Sequence, residues 1–229
     1  MRYASVRRGE LYFNAQIRVV ALLADQKKFQ EAQDHLRSIR PVNDQQQVQL
    51  YLLEGDVLRE AQRYDDAKQF YSSILDAHPE ETSIRYARAL IAEKLGELDL
   101  LESDLRTILQ TEPDNAQVLN ALGYTLADQT KRYDEALQYI QKAMELQPDD
   151  AAVIDSMGWV QYRLGDYEAS VQYLRKANDL TKDPEIASHL GEVLWVMGKK
   201  NDALKVWEES LKANPGHETL LKTMKRFGL

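Results

Sequence analysis

Residues 151–177, with the sequence AAVIDSMGWVQYRLGDYEASVQYLRKA, decide the fold of this 229-residue chain because their pattern recurs along most of it. Closely similar segments begin at Ala116 and Pro184. Running the same register towards the N terminus gives further copies that begin at Phe13, Val48 and Thr82. Successive copies start 35, 34, 34, 35 and 33 residues apart. A regular period of this size indicates a repeat architecture, in which each unit buries its apolar face against the next.

Each copy predicts two amphipathic α-helices separated by a short turn, because apolar residues recur at intervals of three and four on both sides of a break. In three copies the break holds Gly96, Gly165 or Gly198, and glycine is the residue that most easily adopts the left-handed conformation that ends a helix. Proline follows the predicted second helix in four copies, at positions 79, 113, 148 and 215. The candidate N-caps of the helices that come next are Asp114, Asn115, Asp149 and Asp150.

Two places in each copy predict how its helices pack. The eighth place must be small, because the two helices cross there. Its occupants are Val20, Gly55, Ala89, Gly123, Gly158 and Gly191. The twenty-fourth place is large and is expected to fill the space between the helices. Its occupants are Leu36, Tyr71, Leu105, Ile140, Leu174 and Trp207.

The pattern of these places resembles the tetratricopeptide repeat, and the resemblance covers residues 13–217. It implies an all-α fold, a right-handed superhelical solenoid of antiparallel helix pairs. The implied repeats are residues 13–47, 48–81, 82–115, 116–150, 151–183 and 184–217. The first and third are degenerate, and the third has Arg88 where the pattern has leucine.

The two ends of the chain fall outside these six repeats. Residues 218–229 have the length of one more first helix and predict a C-terminal capping helix, which covers the last apolar face of a solenoid. The apolar residues Tyr3, Val6 and Tyr12 give residues 1–12 two interpretations, the tail of a preceding repeat or an N-terminal cap. The first interpretation makes the chain part of a longer protein.

Composition and missing motifs argue against several classes of function. The chain has 29 Lys and Arg against 37 Asp and Glu, and this acidic balance argues against nucleic-acid binding because phosphate contacts need clustered cations. It has no cysteine, its four histidines lack metal-ligand spacing, and it contains no nucleophile-elbow or phosphate-loop motif. The longest apolar run, Val19–Ala24, is too short to cross a bilayer. We therefore predict a non-catalytic protein without metal or cofactor, and no membrane insertion by this segment.

Three stretches carry a closer resemblance: residues 120–128 (NALGYTLAD), residues 155–165 (DSMGWVQYRLG) and residues 186–195 (IASHLGEVLW). They look like the C-terminal part of a family of bacterial outer-membrane tetratricopeptide repeat lipoproteins that face the periplasm. In such a protein the array serves as an adaptor for a C-terminal processing protease and its cell-wall hydrolase substrates. The resemblance implies a periplasmic location, with outer-membrane anchoring through an upstream lipidated segment. A cytoplasmic location is the alternative.

The first helices of such a solenoid line its concave side, and six places of each first helix project into it. In the three strongest repeats these places predict a polar and aromatic protein-binding groove, which we call the inner strip. It consists of Gln117, Asn120, Tyr124, Asp155, Ser156, Trp159, Tyr162, Arg163, His189, Glu192 and Trp195. Trp159 has two interpretations, as an anchor for a partner or as a packing residue against Tyr124 or Trp195. The amide of Asn120 both donates and accepts hydrogen bonds, as binding to a peptide backbone requires.

Two classes of function remain open at this stage. In the first, the chain is a protein-binding adaptor whose concave surface holds a protein or peptide partner, such as a periplasmic protease or its substrate. In the second, it is a self-assembling scaffold, a homo-oligomer in which another copy fills the groove. Light scattering distinguishes the two.

Overall fold

The structure is a computed structural model that describes residues 9–229, and this part of the chain is all α-helical, with no strand. The all-α prediction is confirmed. The thirteen helices of the described residues are α1 (Glu10–Asp25), α2 (Phe29–Ser38), α3 (Asp44–Glu60), α4 (Tyr64–Ala77), α5 (Thr82–Leu95), α6 (Leu98–Thr111), α7 (Ala116–Gln129), α8 (Tyr133–Leu146), α9 (Ala151–Leu164), α10 (Tyr167–Thr181), α11 (Pro184–Val196), α12 (Lys200–Ala213) and α13 (Glu218–Arg226).

The described chain divides into two compact units, the first ending at Gln110 and the second running from Thr111 to Leu229. Within each unit, helices follow one another as pairs joined by turns of two or three residues, so odd-numbered helices are first helices and even-numbered helices are second helices. In the second unit α7 contacts α9, α9 contacts α11, and α11 contacts α13. The second helices α8, α10 and α12 each pack on the first helix before and after them. The first helices therefore form the inner layer of the second unit.

The small eighth place lies where the helices of a pair approach most closely. At Gly158 an added Cβ would lie 2.6 Å from Cγ of Leu174, which occupies the large twenty-fourth place. At Gly191 it would lie 2.0 Å from Nε1 of Trp207, a fully buried ring. Small and large places therefore fit each other across the pair, as the repeat pattern predicts.

The predicted turn and cap residues act at the helix ends. Gly96, Gly165 and Gly198 have positive φ of 71°, 90° and 80°. The Asn115 side chain accepts a hydrogen bond from the backbone N–H of Val118. The Asp150 side chain accepts bonds from the N–H groups of two residues, Ala152 and Val153. These bonds satisfy donors that the first turn of a helix leaves unpaired.

The ends of the described chain differ in their packing. Tyr12 lies in the first turn of α1, which begins at Glu10, so the expected boundary at Phe13 falls inside this helix. Tyr3 and Val6 lie outside the described residues. At the other end, Leu220 of α13 is fully buried in the apolar cluster that contains Trp207. In the described part of the chain, every helix is too short or too polar to span a membrane.

The degenerate third repeat replaces an apolar contact with a buried ion pair. Arg88, on α5, donates from Nε to Oδ2 of Asp104 at 2.8 Å and from a terminal nitrogen to Oδ1 at 2.8 Å. Asp104, on α6, is 1% exposed and also accepts a bond from Arg85 at 3.2 Å. Arg88 further donates to the Ser72 hydroxyl on α4. These hydrogen bonds pair the charge of Arg88, which stands at a place where the repeat pattern has an apolar residue.

Candidate functional site

The inner strip lies on three consecutive first helices of the second unit, α7, α9 and α11. Gln117 is exposed, and six members are half-buried: Asn120, Tyr124, Tyr162, Arg163, His189 and Trp195. Four members are buried: Asp155, Ser156, Trp159 and Glu192. The expectation that all eleven side chains project into an open groove therefore needs correction for these four. The first helices approach one another so closely that these side chains lie in the seams between them.

Trp159 is a packing residue in this structure. Its side chain is buried, with 5% of the residue exposed. Its ring stacks on His189 with the ring centroids 4.3 Å apart, and it contacts Tyr162 at 5.1 Å. The indole Nε1–H donates to Oδ1 of Asp128 at 3.2 Å. Trp159 thus bridges α7 and α11, and its neighbours include residues other than the Tyr124 and Trp195 that the sequence suggested.

His189 joins the same seam through an ion pair. Its Nδ1 lies 2.9 Å from Oδ2 and 3.1 Å from Oδ1 of Asp155, and only 13% of the His189 side chain and 10% of the Asp155 side chain are exposed. Nε2 lies 3.4 Å from the hydroxyl of Tyr124. Burial opposes a charged imidazole, but the charge and hydrogen bond of Asp155, helped by Glu192 and Asp128, raise the pKa of His189 above its ordinary value.

Glu192 is held by groups from two other helices. Tyr162 of α9 donates its hydroxyl to Oε1 of Glu192 at 3.3 Å. Arg226 of α13 forms an ion pair with Oε2 of Glu192. Burial, together with the charge and hydrogen bond of Glu192, raises the pKa of Tyr162 to about 12, so the phenol remains a donor at neutral pH. Glu192 therefore links α11 to its neighbours on both sides.

Arg163 and Trp195 complete the contacts of the strip. Arg163 donates to the backbone oxygen of Asp128 at 3.2 Å and to the hydroxyl of Tyr133 at 3.1 Å. Trp195 stacks on Trp207 with a centroid distance of 5.8 Å and contacts Phe227 at 5.7 Å. The aromatic members at the C-terminal end therefore belong largely to the core that α13 covers.

The polar contacts of the strip follow the repeat period, and this is a signal that sequence reasoning missed. The pairs Asp155–His189 and Glu192–Arg226 are each separated by 34 residues, and Arg163 contacts a residue 35 positions earlier. The two buried hydroxyls of Ser188 and Thr223, 35 residues apart, are hydrogen-bonded at 2.8 Å. Complementary residues one period apart would have identified these contacts, including the roles of Arg226 and Asp128.

Two members of the strip, Gln117 and Asn120, are amides on α7. Gln117 is exposed. The buried side-chain oxygen of Asn120 has no hydrogen-bond partner among the described residues. A buried acceptor of this kind is costly unless something donates to it. In contrast, the carboxylates of the strip are already paired, so the exposed amide of Gln117 is the member of the strip most open to a partner.

The strip contains no arrangement that indicates a reaction. Within residues 9–229 no group of three or more histidine, aspartate or glutamate side chains is placed to hold a metal ion. The Asp155–His189 pair lies beside aromatic rings and carboxylates, and no serine or threonine hydroxyl is hydrogen-bonded to His189 within the described chain. The polar side chains of α9 and α11 in the strip are instead paired with groups on neighbouring helices.

The stacked helix pairs and their inner strip define a helical repeat protein of the interaction-module type. Two family models described as tetratricopeptide repeat match residues 114–183 and residues 52–100, together just over half of the chain. The chain is a member of the tetratricopeptide repeat proteins. Such proteins generally act as non-catalytic modules that mediate protein–protein interactions.

Known proteins with similar sequences and structures support this assignment. A TPR repeat-containing protein of Pseudomonas aeruginosa is 42% identical over 190 residues, which are 83% of this chain and 32% of the relative. The chain thus spans about a third of that relative's length. A thermophilic TPR protein of Thermus thermophilus has a TM-score of 0.70 at 24% identity and covers 79% of this chain and 99% of its own. A tetratricopeptide repeat protein from Parabacteroides merdae has a TM-score of 0.73 at 19% identity, over 93% of this chain and 84% of its own. These two structures bear on the fold alone.

Proposed function

We propose that this protein is an adaptor that binds a polypeptide on the inner strip of its second unit, with α7 as the main contact. The observation that carries the proposal is a pair of amides on one face of α7, the exposed Gln117 and the half-buried Asn120, whose side-chain oxygen has no hydrogen-bond partner among the described residues. Two neighbouring amides on one helix face offer donors and acceptors that match a peptide backbone. The packed seams of α9 and α11 hold this face rigid, which lowers the cost of ordering it on binding.

The more specific form of the proposal concerns the partner and the compartment. We propose a periplasmic location and a partner that is a processing protease or its substrate, with anchoring to the outer membrane through a lipidated segment upstream. The support is the resemblance of residues 120–128, 155–165 and 186–195 to the lipoprotein adaptor family.

Site-specific photo-cross-linking in the native cell tests the binding surface. A photoreactive residue replaces Gln117 on α7 in one variant and Gln172 on α10 in the matched control. Both positions are exposed glutamines of the second unit, but only Gln117 lies on a first helix. We expect a discrete cross-linked polypeptide from position 117 and none from position 172. Cross-linking from position 172 alone would place the contact on the second helices and contradict the proposal.

A second candidate function, self-assembly, has an observation of its own in the first unit. Leu11, Val19 and Leu22 lie on one side of α1 and are 87%, 38% and 50% exposed. An exposed apolar stripe of this kind is typical of an interaction surface. A second copy of the chain would cover it, and this scaffold function is the alternative to the adaptor.

Light scattering of the purified chain tests self-assembly. The self-assembly function predicts a multimer for the wild type, a monomer for Leu11→Glu/Leu22→Glu, and an unchanged multimer for Leu180→Glu, which alters an exposed leucine of α10. A monomeric wild type at the highest soluble concentration would rule this function out.

A further inference from the structure

His189 lies in the seam between the fifth and sixth repeats and has few contacts with solvent. The imidazole of α11 and the carboxylate of Asp155 on α9 form an ion pair at 2.9 Å, with 13% and 10% of their side chains exposed. The indole of Trp159 covers one face of the imidazole, with the planes 27° apart. Asp155 and Trp159 both belong to α9, so one titratable group on α11 carries much of the polar contact between two neighbouring first helices.

The charged groups around His189 come from four helices, and most of them are acidic. Asp128 lies on α7, Asp155 on α9 and Glu192 on α11 itself. Arg226 of α13 is paired with Glu192. Arg163 of α9 contacts Asp128, at 3.9 Å from its carboxylate.

The other groups near His189 are neutral. The hydroxyl of Tyr124 on α7 faces Nε2 of His189, and that of Tyr162 on α9 donates to Glu192. The helices α10 and α12 pack on α11 through an apolar cluster that includes Leu190 and Leu194. The ionic surroundings of His189 therefore consist of three carboxylates, with two arginines each paired to one of them.

We infer that protonation of His189 controls how strongly the fifth and sixth repeats are coupled, through the pair that His189 forms with Asp155. With His189 protonated, the ion pair and the contact of the cationic ring with Trp159 hold α11 on α9. With His189 neutral, Asp155 remains as a buried carboxylate without a cationic partner in that seam, and the coupling of the two repeats weakens. This inference concerns the stability of the contact between the two repeats and does not depend on partner binding.

The direction of the pH dependence follows from the charges. The surrounding carboxylates raise the pKa of His189 in the folded state above the value of about 6.5 that it has in an unfolded chain. The stabilisation is therefore fully present below that unfolded value and is lost as the pH rises through the folded value. The seam is tightest in mildly acidic solution and loosens as the pH rises through the raised pKa of His189.

An NMR titration of the His189 ring tests whether the surrounding carboxylates raise its pKa. We expect the ring of the wild type to titrate above about 6.5, the ordinary value for histidine. In Asp155→Asn the opposing effect of burial then dominates, and the midpoint shifts downward. A wild-type midpoint at or below the ordinary value, or one that does not move in Asp155→Asn, would overturn the inference. The wild-type titration stands alone if the variant fails to fold.

Thermal melting at two pH values tests whether protonation of His189 stabilises the contact between the two repeats. We expect the melting midpoint of the wild type to fall between pH 6 and pH 9 by more than that of His189→Gln. The matched control is His78→Gln, which alters an exposed histidine in the first unit and should keep the fall of the wild type. Equal falls in wild type and His189→Gln would show that protonation of His189 does not control the seam.

Discussion

Gly158 illustrates how one residue determines the spacing of a helix pair. An added Cβ would lie 2.6 Å from Cγ and 2.9 Å from Cδ2 of Leu174, inside van der Waals contact. Because Leu174 is fully buried, it has little freedom to move away. We expect Gly158→Leu to lower the free energy of unfolding by about 1–3 kcal/mol through overpacking. Denaturant unfolding measures this, with Ala152→Leu on the exposed side of the same helix as the control. An unchanged midpoint would mean that the helices do not cross at Gly158.

Variants of Trp159 test whether its side chain stabilises the fold or contacts a partner. Because the ring is buried against His189 and Tyr162, we expect Trp159→Ala to destabilise the protein by roughly 3–5 kcal/mol. Trp159→Phe keeps a ring on His189 but loses the bond to Asp128, so its cost should be smaller. Thermal melting measures both variants. Unchanged melting of Trp159→Ala would show that the indole is not part of the core and would restore its interpretation as a partner anchor.

The packing of helices α5 and α6 depends on the buried ion pair between Arg88 and Asp104. Removing one partner of such a pair leaves a buried charge, whereas replacing both with apolar residues is often neutral. We expect Arg88→Leu to cost about 3 kcal/mol, since Asp104 then keeps only Arg85. The double variant Arg88→Leu/Asp104→Leu should recover most of that loss. Chemical denaturation of Arg88→Leu, Asp104→Leu and the double variant gives the coupling energy between the two residues. Additive losses would contradict the role of the pair.

The third repeat also shows why the sequence alone could not predict such elements in full. Arg88 departs from the repeat pattern, which has leucine at this place. Its partner Asp104 lies 16 residues later on the second helix. The pattern specifies which places face each other but not that two polar residues will replace two apolar ones together. The contact between Arg88 and Asp104 depends on the geometry of the helix pair, which the repeat pattern does not specify.

The fold of the whole chain was predictable because the same period recurs in each of its repeats. Small residues such as Gly158 and large ones such as Leu174 recur in phase, and weak repeats are located by their neighbours. The helices that carry the inner strip were predictable for the same reason. The burial of Asp155 and Trp159 was not, because it depends on how closely neighbouring first helices approach, and the repeat pattern does not contain this distance.

The proposed function rests on binding of a polypeptide to the inner strip of the second unit through α7. Its most direct test is the equilibrium affinity of the cross-linked partner for wild type, for Gln117→Ala/Asn120→Ala and for the control Gln172→Ala, with melting measured in parallel. A lost polar contact costs about 1 kcal/mol, or roughly fivefold in affinity. We expect a loss of about that size for each contact in the double variant, with unchanged melting, and wild-type affinity in the control. Wild-type affinity in a stable double variant would contradict it.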